Sequence, residues 1–171
     1  FSEHLAGLPG FRVQLRSVAH LTSAEDSPSL TRKYTLAMLR PNKLAIVPAK
    51  ADVEGTVICD GNHLYTSLPM LAKYTVDPAP DDLDDLQGGN TRAALIAGGL
   101  AVAQATVVFD HDPYERLMAD AERLRDLGTE PVDGTPCHRL RLDGPVLIWE
   151  MCIEAGEAPW LRRAVLSLTG R

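Results

Sequence analysis

The sequence predicts an α+β fold built on one large antiparallel sheet, and three observations carry that expectation. Apolar and polar residues alternate with a period of two towards both ends of the chain. Residues that tolerate positive φ punctuate those stretches, most plainly at Asp60-Gly61-Asn62. The helix-like segments are confined to the middle, so the order runs strands, helices, strands.

The first strand is set by Phe11, Val13, Leu15, Ser17, Ala19 and Leu21, which alternate with Arg12, Gln14, Arg16 and His20. Ser23 to Ser29, with Pro28, is a polar loop. Arg32 to Arg40 forms the second strand, with Tyr34, Leu36 and Met38 on one face and Lys33, Thr35, Ala37 and Leu39 on the other. Pro41-Asn42 breaks it, and Lys43 to Val47 is a short third strand. A fourth runs from about Val53 to Cys59, reverses at Asp60-Gly61-Asn62 and returns as a fifth from His63 to Ser67. A further extended segment reaches Val76, completing a meander of consecutive antiparallel strands.

The middle changes character. Pro78-Ala79-Pro80 ends the extended run, and the acidic stretch Asp81-Asp82-Leu83-Asp84-Asp85-Leu86 starts a helix whose carboxylates favour the positive end of its dipole. Gly88-Gly89-Asn90 breaks it, and Thr91 caps an alanine-rich helix. Asp112-Pro113 opens a second short helix, a capping residue followed by proline in the first helical position. Beyond it two readings stand. Leu117, Ala121, Leu124 and Leu127 fit one helix face from Pro113 to Leu127, while Glu122 to Glu130 also fits a polar edge strand leading to Pro131. The end is β again. Thr135 to Leu142 and Pro145 to Glu154 are joined by Asp143-Gly144 as a hairpin, and Trp160 to Leu168 follows the turn at Gly156-Glu157-Ala158-Pro159. Val146 to Ile153 reads as apolar on both faces: Leu147, Trp149, Met151 and Ile153 on one, and Val146, Ile148 and Cys152 with Glu150 on the other. Such a strand is either sandwiched between layers or lines an apolar cavity.

A chain of 171 residues fits a single domain, 1–171, that buries roughly two-thirds of its unfolded surface. The net charge of −6 and the scattered basic residues argue against nucleic acid as a partner. The uncharged stretch Ala93 to Phe109 is interrupted by Gly98-Gly99, Gln104 and Thr106, and reads as a buried or lid helix rather than a membrane span. The chain begins at Phe1 without a basic or apolar leader, so it is expected to be a processed or trimmed piece.

Reaction chemistry has no carrier in the sequence. Cys59, Cys137 and Cys152 form no zinc spacing and read as buried small apolar residues, with a Cys137–Cys152 disulfide as the alternative. Asp110-His111-Asp112 is a loop with capping residues rather than a metal site, because adjacent residues rarely converge on one ion. Cys137 and His138 are neighbours on a strand and point to opposite faces. Glu150 and Glu154 lie roughly 13 Å apart by strand rise, too far for a carboxylate pair. Nucleotide, zinc-protease and serine-hydrolase motifs are absent. No metal or cofactor is expected.

Several segments, in order, resemble the DUF2092 family of predicted periplasmic proteins, itself similar to lipoprotein carriers of the LolA, LolB and LppX kind. They are Arg40-Pro41-Asn42-Lys43-Leu44; Asp60 to Tyr65 through Leu68-Pro69 to Lys73-Tyr74; and Asp112-Pro113-Tyr114-Glu115. Further on come Leu127-Gly128-Thr129-Glu130, Val132-Asp133-Gly134, Cys137-His138-Arg139-Leu140, and Trp149 to Glu154 with Pro159 and Arg162-Arg163. The resemblance implies a strongly curved antiparallel sheet, an open half-barrel, with helices over its concave face and an apolar cavity between. It implies helix from Pro113 to about Ala119 and strand from about Glu122. The helix that precedes the first strand in such proteins is reduced here to Phe1 to Leu8.

On this basis the chain is expected to be a non-enzymatic periplasmic or envelope protein that binds a lipid, acyl chain or other apolar ligand. The side chains expected to line the cavity are Tyr34, Leu36, Met38, Leu147, Trp149 and Met151. Each buried CH₂ of a ligand contributes about 0.8 kcal/mol, so no polar motif is required. The alternative is an interaction or sensory module of a larger envelope protein, its core filled by its own side chains. An enzyme dependent on a metal or on Cys137 is the third reading.

Overall fold

The computed structural model describes residues 1–20, 29–50, 55–83 and 106–168. The chain divides into two compact units, one formed by Pro9–Thr106 and the other by Phe1–Leu8 together with Val107–Arg171. The described strands hydrogen-bond as two antiparallel sheets, one of six strands and one of four, rather than as one continuous sheet. The loop from Ser23, most of the acidic segment and the alanine-rich helix after Thr91 lie outside the described residues.

The unit Pro9–Thr106 is the expected meander: β1 (Gly10–His20), β2 (Ser29–Leu39), β3 (Lys43–Pro48), β4 (Thr56–Asp60), β5 (His63–Leu68) and β6 (Lys73–Pro78), each paired with its neighbour in sequence. Alternation sorts its faces. Leu36, Ile46, Val57 and Thr66 stand in one cross-strand row and Met38, Leu44, Cys59 and Leu64 in the next, all buried. The turn between β4 and β5 works through Asp60, whose Oδ1 accepts from the backbone N–H of Asn62 (2.7 Å) and His63 (2.8 Å). These two bonds hold the Asp60 carboxyl below its usual range, helped by the Tyr65 hydroxyl. Gly61 sits at φ +98°, and a Cβ there would lie 3.1 Å from Lys43 Cε, so the turn needs glycine. Asn42, in the bend between β2 and β3, donates from Nδ2 to the carbonyls of Gly61 (3.1 Å) and Pro80 (2.9 Å).

The other unit begins with α1 (Ser2–Ala6) and resumes at Val107 within a 3-10 turn, Thr106–Phe109, that straddles the boundary, followed by α2 (Pro113–Met118), β7 (Arg123–Val132), β8 (Thr135–Asp143), β9 (Leu147–Glu154) and β10 (Leu161–Leu168). The open choice after Pro113 resolves to a short helix and then a strand. Asp112 caps α2, its Oδ1 accepting from Glu115 N–H at 2.9 Å, with Pro113 in the first turn. β7 and β8 meet in the two-residue turn Asp133-Gly134, both at positive φ as a tight hairpin requires. The β8–β9 connection is longer than a two-residue turn. Asp143 pairs with Ile148, and Gly144 N–H reaches the Leu147 carbonyl at 3.0 Å. Pro145 has no N–H to give a ladder, so β9 starts beyond it. All three cysteines are free and buried.

Candidate functional site

The four-stranded sheet separates its side chains by chemistry. Cross-strand register places Leu124, Leu142, Trp149 and Leu166 in one row and Leu140, Met151 and Ala164 in the next, all on one face. Leu142, Met151 and Ile153 are the buried centre of that face, and Phe1, Leu117, Met118 and Trp149 pack against it.

Above this face is a cavity of about 510 Å³. Its floor is Leu140, Leu142, Met151 and Ile153; its sides are Leu117 and Met118 of α2, Leu124 of β7, and Phe1 and Ala6 of the first segment. In the floor Leu142, Met151 and Ile153 are buried and Leu140 half-buried, while Glu3, His111, Asp112 and Tyr114 are exposed and form the rim. A volume between about 300 and 1,000 Å³ with apolar walls and few polar groups is that of a small-molecule site.

The opposite face of the same sheet is charged, against the expectation that β9 is apolar on both sides. Glu150 accepts from Arg139 Nη2 at 2.7 Å and from Arg141 Nη1 at 2.9 Å, and Arg141 Nε donates to Asp143 Oδ1 at 2.8 Å. Arg125 pairs with Asp143, and Glu130 joins Arg139 (3.4 Å) and Arg163. Val146 falls outside β9 and is exposed, and Cys152 is buried among these groups, its thiol donating to Glu130 Oε1 at 3.2 Å. The Arg139 and Arg141 contacts hold the Glu150 carboxyl below its usual range, and Arg141 with Arg125 does the same for Asp143. Burial, followed by the Glu130 contact, pushes the Cys152 thiol up, which disfavours the reactive thiolate. This face is charged because the partners of Glu150 and Cys152 come from β7, β8 and β10, whose arginines look scattered in sequence.

Of the six residues expected to line a cavity, Met151 lies in its floor, and Trp149 packs on the same cluster. Leu147 shares the face of Trp149 at the start of β9 and is half-buried. Tyr34, Leu36 and Met38 stand together on β2, buried in the six-stranded unit. Leu140, Leu142 and Ile153 were not singled out. The period of two in β8 is the signal that points to Leu140 and Leu142, and Ile153 continues the alternation of Trp149 and Met151 in β9. His111 and Asp112 occupy the rim as loop and cap, and among the described residues no group of three or more His, Cys, Asp or Glu side chains could hold a metal. No helix of the described residues is long and apolar enough to cross a membrane.

The family model for predicted periplasmic proteins, DUF2092, matches residues 1–169. No curated protein matches the sequence. Among solved structures, the chain is similar to the crystal structure of the LolA superfamily protein NE2245 from Nitrosomonas europaea. The identity is 12% and the TM-score 0.33, with 93% of this chain and 67% of that one covered. Matched along almost its whole length, the chain belongs to the DUF2092 family of predicted periplasmic proteins.

Proposed function

We propose that this protein is a non-enzymatic binding protein of the periplasm that holds a lipid, acyl chain or similarly apolar ligand. The observation that carries the reading is the cavity of about 510 Å³ over the apolar face of the four-stranded sheet. Its walls offer methylene and methyl groups from α2 and three strands, and burial of ligand CH₂ groups there contributes about 0.8 kcal/mol each. The family's half-barrel with helices over a concave face, as one domain, belongs to this proposal; α2 and the first segment beside the cavity support it. The cavity role of Met151 and Trp149 is part of it too, with Leu140, Leu142 and Ile153 added.

The test is native mass spectrometry of the purified protein, then organic extraction and lipid analysis, with uptake of the neutral dye N-phenylnaphthylamine measured alongside. Leu124 lines the cavity and is 45% exposed, so Leu124→Lys puts a charge in the wall without burying it in the core. Dye uptake should fall by about tenfold, because seating the apolar dye against that wall would take the introduced ammonium out of water. Leu127→Lys, on the same strand, 40% exposed and outside the lining, should leave uptake unchanged. Equal effects of the two substitutions, or uptake indifferent to both, would remove the cavity from the function.

A second reading, a protein-docking module, has its own observation. Ile58, Tyr65 and Val76 form a cross-strand row on the exposed face of the six-stranded sheet, 40–49% exposed, with Tyr74 78% exposed beside them on the terminal strand β6. A clean apo mass together with no dye uptake would favour it.

A further inference from the structure

The cavity has a polar asymmetry that bears on what sits in its mouth. The sheet beneath it carries five arginines whose register is fixed: Arg123, Arg125, Arg139, Arg141 and Arg163. All five fall on the face opposite the cavity, because each is in the same alternating set as Glu150 and Asp143. Four of them are engaged with Asp143, Glu150 or Glu130. Neither lysine nor arginine occurs among the residues that line the cavity. Its charged carboxylates are those of Glu3, on α1, and Asp112, the cap of α2, both exposed at the rim beside His111 and Ser2. Asp112 accepts from Glu115 N–H through Oδ1 alone, at 2.9 Å.

A fatty acid or an anionic phospholipid seated with its chain on the floor would bring its carboxylate or phosphate to that rim, against two carboxylates and away from those five arginines. A cationic or hydrogen-bond-donating head group would meet the Glu3 and Asp112 carboxylates there, with Ser2, His111 and Tyr114 beside them. Building on the ligand-binding role proposed above, we propose that the cavity takes an amphiphile with a cationic or neutral, hydrogen-bond-donating head group and discriminates against anionic ones. Selection between ligands of equal chain length is therefore made by Glu3 and Asp112.

The experiment uses three probes with one chain and different heads, dodecyltrimethylammonium, dodecyl glucoside and dodecanoate, below their micelle concentrations. Each competes with N-phenylnaphthylamine on the whole chain at low ionic strength. The ammonium should displace the dye at about tenfold lower concentration than dodecanoate, with the glucoside between, and added salt should narrow the gap as it screens the rim. In the double variant Glu3→Gln/Asp112→Asn the order should collapse to within about twofold. Asparagine caps helices as well as aspartate does, so α2 keeps its start while the charge is lost.

Dodecanoate displacing dye as well as the ammonium would overturn the head-group assignment and leave the cavity's binding role standing. A preference unchanged in the double variant would overturn the role of Glu3 and Asp112. Failure of the dye itself to bind would instead bring down the binding role, and this inference with it.

Discussion

At the scale of single residues, Asn42 and Gly61 show why short pieces of sequence far apart in the chain belong together. The bend after β2 and the turn after β4 are separate in sequence, yet Asn42 Nδ2 donates to carbonyls of Gly61 and Pro80, which no strand ladder satisfies. Asn42→Ala leaves both carbonyls without that donor in a part-buried place, and stability should fall by about 1–3 kcal/mol. Asn42→Asp replaces the donor by a charged acceptor facing two oxygens and should cost more. Urea unfolding of the two variants measures both; an alanine variant as stable as the parent would show that the clasp is incidental. Turn chemistry at Asp60-Gly61-Asn62 was legible in the sequence, since local residues dictate a local reversal. The Asn42 clasp was not, because it depends on where two other bends arrive.

At the scale of elements, β-strands were read well and their faces less well. Period-two alternation located β1, β2, β3 and β5 to within a few residues, as did the family resemblance for the passage from α2 to β7. The second face of β9 was misread because its own residues, Ile148, Glu150 and Cys152, carry one charge. Its character is set by Arg139 and Arg141 opposite them on β8. Of the six residues expected to line a cavity, Met151 alone is in the lining of this one, because its walls come from the first segment, α2 and three strands at once.

The charged ladder has a pH signature. Glu150 and Asp143 have lowered native pKa values, so the unfolded chain binds more protons in acid than the native one. Their contribution is complete above the ordinary carboxylate range, about pH 4, and is lost as pH falls through the lower native values. Glu150→Gln should lower stability at neutral pH, leaving Arg139 and Arg141 side by side, and should make the acid limb of stability against pH shallower. Unfolding midpoints measured from neutral to strongly acid pH decide this; an acid limb parallel to the parent's would place the sensitivity in other carboxylates.

At the scale of the molecule, the two units are interleaved along the chain. One takes both ends, Phe1–Leu8 and Val107–Arg171, and the other takes all that lies between. The chain therefore passes between units twice, at Leu8–Pro9 and at Thr106–Val107, and neither unit is a simple terminal module that a cut would release whole. Loss of structure in the inner unit leaves a long loop between the first segment and α2, which together flank the cavity. Closing that loop carries an entropic cost that grows with its length. On this argument we predict a single cooperative unfolding transition, consistent with the proposal of one domain. A ligand that occupies the cavity should move the whole transition. At a hundredfold excess over Kd it contributes about 2.7 kcal/mol, a rise of roughly 5–10 °C in Tm for a chain of this size. Scanning calorimetry with and without dodecyl glucoside reads both features at once. Two resolved transitions, with ligand shifting one and leaving the other in place, would show that the units fold independently and that binding belongs to one of them alone.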